Sequence, residues 1–95
     1  MKFEWDEEKN KANIKKHKID FEKASRVFYD DDRLEIWDKK HSESEDRYIT
    51  IGLIEEIVSV VTVVYTPRNE TIRIISARKA TNNERKRYYD SKEGN

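Results

Sequence analysis

The feature that most constrains the fold is the segment 73–79, Arg-Ile-Ile-Ser-Ala-Arg-Lys, which combines isoleucine with three cations. An isoleucine-rich run favours a buried β-strand. The segment leads into Thr81 and Glu84, which have the spacing of a helix capping box, and the following turn adds three further bases. Because a strand holds a guanidinium in a rigid position, the sequence raises the question of which anion these cations face.

Length and composition indicate one folded domain. The chain has 95 residues, of which 42% are charged and 35% are hydrophobic, and the apolar residues are clustered rather than diluted. We expect a single domain over residues 1–95, with residues 91–95 frayed. There is no cysteine, which excludes disulfides and thiolate chemistry. No apolar run approaches the ~20 residues that span a bilayer, so we expect a cytosolic protein without membrane contact.

The formal net charge of zero hides an uneven distribution. Residues 28–46 contain eight acids and three bases, a balance of −5, whereas residues 67–89 contain seven bases and two acids, a balance of +5. The basic part is a candidate phosphate-binding surface. The alternative is that the two parts neutralise each other in the folded chain.

Local patterns predict helices at both ends of the chain. Asp6 caps a first helix, on which Lys9, Asn13, Lys16 and His17 share one face that is either solvated or turned towards a ligand. Asp20 caps a second helix with an apolar stripe, and Thr81 begins the last one. The stripe consists of Phe21, Ala24, Val27 and Phe28.

The middle of the chain predicts a sheet. A brief edge strand over residues 2–5 and strands around 34–36 and over 47–53, 57–66 and 71–79 are expected, the valine-rich 57–66 being central. Short connections between successive strands favour antiparallel neighbours. The fold class is therefore α+β, a small antiparallel sheet packed with two N-terminal helices and a C-terminal helix.

Cleavage of RNA through its own 2′-hydroxyl needs a base, an acid and cations on the developing phosphorane. Arg47 begins one strand and Arg78 ends another, so we expect them at the same edge of the sheet. Glu45 is a candidate base, although its same-face pairing with Arg47 is equally an ordinary ion pair. Tyr88 is either a proton donor or the core anchor of the last helix. His41 lies in a loop that looks mobile, and no metal-ligand spacing or phosphate loop is present, so we expect no metal and no cofactor.

Over nearly its whole length the chain resembles the BrnT toxins of bacterial type II toxin–antitoxin systems. The most specific match is the segment 73–80 leading to Glu84, Arg85 and Tyr88. The other residues that match the family are Trp5, Asp6, Lys9, Asn13, Lys16, His17, Ile19, Phe21, Ala24, Glu45, Arg47 and Gly52.

This resemblance implies a RelE-like fold and a ribonuclease that inhibits translation and uses arginine, lysine and tyrosine where other ribonucleases use histidine pairs. It also implies a BrnA-type antitoxin with a ribbon-helix-helix part, a 2:2 heterotetramer, and operator DNA bound through the antitoxin. The near-neutral pI of 6.7 departs from what a free RNA-binding toxin needs.

We therefore expect a metal-independent endoribonuclease in which arginines, held by a stiff sheet, bind the scissile phosphate. The expected catalytic residues are Arg78, Arg68, Arg47, His17 and Tyr88, and the expected substrate-binding residues are Lys9, Lys16, Arg73, Lys79 and Arg85. Arginines that scatter, or that are each neutralised by a carboxylate of the same chain, would contradict this prediction. The alternatives are a noncatalytic module that binds nucleic acid or protein, and an interaction domain whose charges are only solvated surface.

Overall fold

A computed structural model describes residues 1–94, in which five strands and three helices are joined by short turns. The strands are β1 Lys2–Glu4, β2 Leu34–Trp37, β3 Tyr48–Ile54, β4 Ser59–Arg68 and β5 Thr71–Lys79. The helices are α1 Glu7–His17, α2 Phe21–Ala24 and α3 Asn82–Glu93, and 3-10 turns cover Ser25–Tyr29, Lys39–His41 and Glu55–Ile57. The predicted α+β class is confirmed.

The sheet is mixed, which corrects the prediction of a purely antiparallel one. The strand order is β1-β5-β4-β3-β2. β2 to β5 form an antiparallel meander, whereas β1 pairs in parallel with β5. Hairpin connections impose antiparallel pairing on neighbours in sequence, but β1 joins β5 across most of the chain and is free of that constraint. The valine-rich β4 is the central strand, as predicted.

The second predicted helix is mostly not α-helical. Its α-helical part is only α2, and the chain then tightens into the 3-10 turn Ser25–Tyr29. This turn contains β-branched and aromatic residues, which have modest helix propensity. Its predicted apolar stripe is nevertheless buried, because Phe21, Ala24, Val27 and Phe28 are each at most 4% exposed.

The predicted helix starts agree with the structure. The side chains of Asp6, Asp20 and Thr81 each accept a hydrogen bond from a backbone N–H in the first turn, and Thr81 and Glu84 form the complete capping box. α3 continues to Glu93, so residues 91–93 are helical, while the fraying predicted for Asn95 concerns a residue outside those described. No helix within residues 1–94 has both the length and the apolar character needed to cross a bilayer.

Each face of the sheet is covered differently. One face packs against α2 and the following 3-10 turn, with Phe21, Val27, Val61 and Val63 fully buried. The opposite face packs against α3 through a smaller core, which comprises Ile51, Val60, Ala80 and Tyr88. Because this smaller core lies near the beginning of β4, the half of that face near the end of β4 is left to charged side chains. We call this half the open face.

Asn13 completes the edge of β5 beyond the short β1. Its Nδ2 donates to the carbonyl oxygen of Ala77 at 2.8 Å, and its Oδ1 accepts from the Ala77 N–H at 3.1 Å. Nδ2 also donates to the carbonyl oxygen of Ile19 at 2.8 Å. The amide thus replaces a neighbouring strand, and Asn13 is only 7% exposed. It is a structural residue and does not belong to an outward polar stripe.

Candidate functional site

One row of side chains crosses all five strands on the open face. Thr66 of β4 pairs with Arg73 of β5, which pairs with Glu4 of β1. On the other side, Tyr48 pairs with Tyr65, so the preceding Arg47 lies beside Thr66. The N–H of Asp38 donates to the carbonyl oxygen of Arg47 at 2.8 Å, which adds one more residue pair to the pairing of β2 with β3. Side chains opposite each other share a face, so Asp38, Arg47, Thr66, Arg73 and Glu4 form what we call the charged row.

Arg68 adds a third guanidinium next to this row. It is the last residue of β4, two positions beyond Thr66, so it points to the same face. The predicted strand over residues 57–66 ended before Arg68, which left it in the connection to the next strand. Its Nη2 and Nε donate to the two carboxylate oxygens of Glu45 at 2.9 and 3.2 Å. Hydrogen bonding to Arg68 lowers the pKa of Glu45, and the charges of Arg47 and Arg73 lower it further, which agrees with three guanidiniums around one carboxylate.

The three arginines differ in how they are paired. Arg73 donates to Glu4 at 2.7 Å, and Arg68 donates to both carboxylate oxygens of Glu45 in a forked pair. Within residues 1–94, Arg47 has no carboxylate within 4.0 Å of its guanidinium. Arg68 and Glu45 are each nearly half exposed, and such ion pairs contribute only ~0–1 kcal/mol. Another anion can therefore replace the carboxylate at little cost.

The hydroxyl of Thr66 is an unpaired polar group at the centre of the row. Thr66 is 1% exposed, and its Oγ1 is buried without a hydrogen-bond partner among residues 1–94. Leaving such a group unpaired costs roughly 1–3 kcal/mol.

Arg78 lies apart from this cluster, contrary to the expectation that it shares an edge with Arg47. It pairs with Thr62, four residues before Thr66 and so about 13 Å away along β4. Its Nη1 and Nη2 donate to Glu84 at 2.6 and 2.9 Å. Arg78 lowers the pKa of Glu84 to about 2, and hydrogen bonds from the Thr81 backbone and Thr62 contribute. Arg78 thus fastens the end of β5 to the start of α3.

Tyr88 anchors the last helix in the core, and its catalytic role stays a prediction. Its side chain is fully buried under the sheet, and its hydroxyl donates to Oδ2 of Asp30 at 2.5 Å. Burial raises the pKa of Tyr88, and the hydrogen bond to Asp30 raises it further. Both effects oppose ionisation, and Tyr88 lies in the smaller core rather than in the charged row.

The remaining predicted site residues lie outside the charged row. Lys9, Lys16 and His17 belong to α1, which Asn13 fixes level with Ala77, three register positions from Thr66. Lys79 is exposed at the end of β5. Arg85 is exposed on α3, where its Nη2 donates to Asn82 at 2.7 Å.

The connection from Asp38 to Arg47 contains hydrogen bonds of its own. The Ser42 hydroxyl donates to the carbonyl oxygen of Asp38 at 2.6 Å and accepts from the Arg47 N–H at 2.9 Å. His41 Nδ1 lies 2.9 Å from Oδ2 of Asp38. His41 and Arg47 line the same shallow cavity, together with Lys40, Glu43 and Ser44.

Sequence reasoning missed Glu4, Asp38 and Thr66 as members of the site. Each is an ordinary strand or loop residue by its local pattern. The one signal in the sequence was Glu45, which lies two residues before Arg47 and therefore predicts a carboxylate close to that arginine. The strand register, which the sequence did not provide, brings the others together.

Within residues 1–94, no group of three histidine, aspartate or glutamate side chains is arranged to hold a metal ion.

Comparison with known proteins supports the toxin resemblance. A search of curated proteins finds no match. The model of one protein family, described as the ribonuclease toxin BrnT of type II toxin–antitoxin systems, matches residues 5–84. This match covers most of the chain, and the chain therefore belongs to the BrnT family of ribonuclease toxins.

Proposed function

We propose that this toxin cleaves RNA without a metal ion, by transesterification through the 2′-hydroxyl, and that Arg47, Arg68 and Arg73 bind the scissile phosphate. The observation that carries the proposal is that these three guanidiniums lie close to one carboxylate, that of Glu45, on the open face. Planar guanidiniums suit bidentate recognition of phosphate.

The proposed reaction requires charge stabilisation above all. The 2′-oxygen forms a bond to phosphorus, the bond from phosphorus to the 5′-oxygen breaks, and the products are a 2′,3′-cyclic phosphate and a 5′-hydroxyl. Negative charge accumulates on the phosphorane between these events. Cations fixed on strands need little reorganisation to stabilise that charge, which makes preorganised guanidiniums effective.

In this proposal, RNA displaces the carboxylate of Glu45 from Arg68 and that of Glu4 from Arg73. The fork between Arg68 and Glu45 keeps the guanidinium oriented before substrate arrives. Arg47, which has no such carboxylate, offers the first contact for a phosphate. Lys9, Lys16, Lys79 and Arg85 extend the cationic surface for neighbouring phosphates, while Arg78 and Tyr88 serve the fold and His17 remains the competing histidine.

The reaction type is tested with purified protein and a short RNA, without ribosomes in the presence of EDTA, and with ribosomes in the magnesium that ribosomes require. We expect cleavage that persists in EDTA and leaves 2′,3′-cyclic phosphate ends. A matched substrate with a single 2′-deoxy sugar at the cleaved position should be resistant. Cleavage of the deoxy substrate, or its abolition by EDTA, would contradict the proposed chemistry.

The partners follow from the family and the resemblance. A type II system pairs this toxin with a protein antitoxin. We propose that the antitoxin is of the BrnA type, binds operator DNA through a ribbon-helix-helix part, and forms a 2:2 heterotetramer in the cytoplasm. Light scattering of the co-purified pair measures the stoichiometry directly. Expression of the toxin alone should reduce the incorporation of labelled amino acids, and co-expression of the antitoxin should restore it.

A noncatalytic RNA-binding module is the second candidate, and the pairing of Arg68, Arg73 and Arg78 with carboxylates favours it. Such a module binds RNA through exposed cations and releases it unchanged as salt increases. RNA that is bound in a salt-sensitive manner but never cut, with or without ribosomes, would select this function.

A further inference from the structure

The chain contains a histidine–carboxylate pair next to the arginine cluster. His41 lies in the 3-10 turn that follows β2, and its Nδ1 is 2.9 Å from Oδ2 of Asp38. The Asp38 side chain is 14% exposed and the His41 side chain is 53% exposed. The carboxylate is thus largely withdrawn from solvent while the imidazole remains accessible. This is the arrangement of an oriented acid–base group.

The hydrogen bond determines which nitrogen of His41 can act on a substrate. A carboxylate accepts hydrogen bonds, so it favours the tautomer with the proton on Nδ1. Nε2 then carries the free lone pair. In this tautomer His41 can accept a proton through Nε2 while Asp38 holds the ring orientation.

The backbone fixes this pair relative to the charged row. Asp38 is itself a member of the row, since its N–H donates to the carbonyl oxygen of Arg47. The Ser42 hydroxyl links the backbone of Asp38 to that of Arg47. His41 and Arg47 face one cavity. A phosphate bound by Arg47 therefore lies beside the imidazole.

We propose that His41 is the general base of the cleavage reaction and that Asp38 is its positioning residue, an inference that rests on the proposed nuclease function. Nε2 of His41 removes the proton of the 2′-hydroxyl as its oxygen bonds to phosphorus. The 5′-oxygen leaves with a proton from water, and the imidazolium returns its proton to solvent. Arg47 and Arg68 stabilise the charge that develops between these proton transfers.

The test compares single-turnover cleavage by wild type and His41→Ala, with Lys39→Ala as a control from the same exposed turn. We expect His41→Ala to reduce the rate constant at saturating protein by roughly 10²–10⁴-fold. RNA affinity should change less than about threefold, and added imidazole should restore part of the rate. A residue with only a structural role would not give imidazole rescue.

Asp38→Asn separates positioning from folding, because the backbone hydrogen bonds of Asp38 survive this substitution. An amide can donate to Nδ1 and so favours the wrong tautomer, and we expect a loss in rate of roughly 10-fold or more without imidazole rescue. Unchanged urea unfolding of both variants keeps the comparison valid.

The outcomes distinguish the dyad from the nuclease itself. Wild type that leaves RNA intact contradicts the proposed function. Active wild type together with a fully active His41→Ala overturns only the dyad. Activity lost in His17→Ala and retained in His41→Ala would do the same and assign the base to α1.

Discussion

At the scale of single residues, buried polar groups differ in whether they make hydrogen bonds that serve the fold. Asn13 satisfies its amide completely with backbone groups, and Tyr88 satisfies its hydroxyl with Asp30. Thr66 does neither. A buried hydroxyl that contributes no hydrogen bond to the fold can be removed without harming stability.

Thr66→Val is therefore predicted to leave folding intact. Valine keeps the shape and removes the unpaired hydroxyl, so the free energy of unfolding should stay the same or rise by about 1 kcal/mol. RNA cleavage should stay close to that of wild type, because a buried hydroxyl does not contact the substrate. Urea unfolding and cleavage assays measure the two properties. Reduced stability would show that the hydroxyl serves the fold.

Glu84 makes the stability of the protein dependent on acid. Its pKa is lowered from 4.5 to about 2, chiefly by hydrogen bonding to Arg78. A carboxyl whose pKa is lower in the folded state stabilises the fold above its unfolded pKa, and this contribution is lost as pH falls. The loss should span pH 4.5 to about 2 and be on the order of 2 kcal/mol.

Urea unfolding at several pH values tests this with Glu84→Gln, and Glu70→Gln serves as an exposed control. The Glu84 variant should be less stable at neutral pH, because Arg78 loses its charged partner. Its stability should then change less than that of wild type between pH 4.5 and 2. Parallel curves for the two proteins would place the acid sensitivity elsewhere.

At the scale of elements, local signals were predictable and pairings were not. The caps at Asp6, Asp20 and Thr81 depend on neighbours in sequence, and so does the stripe that buries Phe21 and Val27. The parallel pairing of β1 with β5 links residues almost seventy positions apart, and no local pattern encodes it. Helix propensity was overridden where Ser25–Tyr29 tightened into a 3-10 turn.

The edge of β5 provides a prediction at this scale. Asn13→Ala removes three hydrogen bonds and leaves the N–H and carbonyl of Ala77 unpaired at a buried edge. We expect a loss of roughly 2–4 kcal/mol in the free energy of unfolding. Lys11→Ala, an exposed change in the same helix, should stay within about 0.5 kcal/mol. Equal effects of the two variants would mean that α1 is not anchored through this amide.

At the scale of the whole molecule, the sheet converts a scattered set of arginines into one cluster. Sequence reasoning identified Arg47, Arg68 and Arg73 as cations of the site because their residue type suits phosphate. It nevertheless predicted that Arg47 lies beside Arg78, because the sequence indicates where strands end but not how they pair in register. Register also brings Asp38 and Glu4 to the two ends of the row, an arrangement that only the assembled sheet reveals.

If Arg47 holds the scissile phosphate as proposed, single-turnover RNA cleavage depends on its guanidinium, which Arg47→Ala removes. Arg26→Ala is the control, because Arg26 is an arginine paired with Glu56 beyond the opposite end of β3, away from the charged row. With both variants folded, we predict a loss of roughly 10²–10³-fold for Arg47→Ala and less than twofold for Arg26→Ala. Equal rates for the two variants, beside an active wild type, would contradict the account.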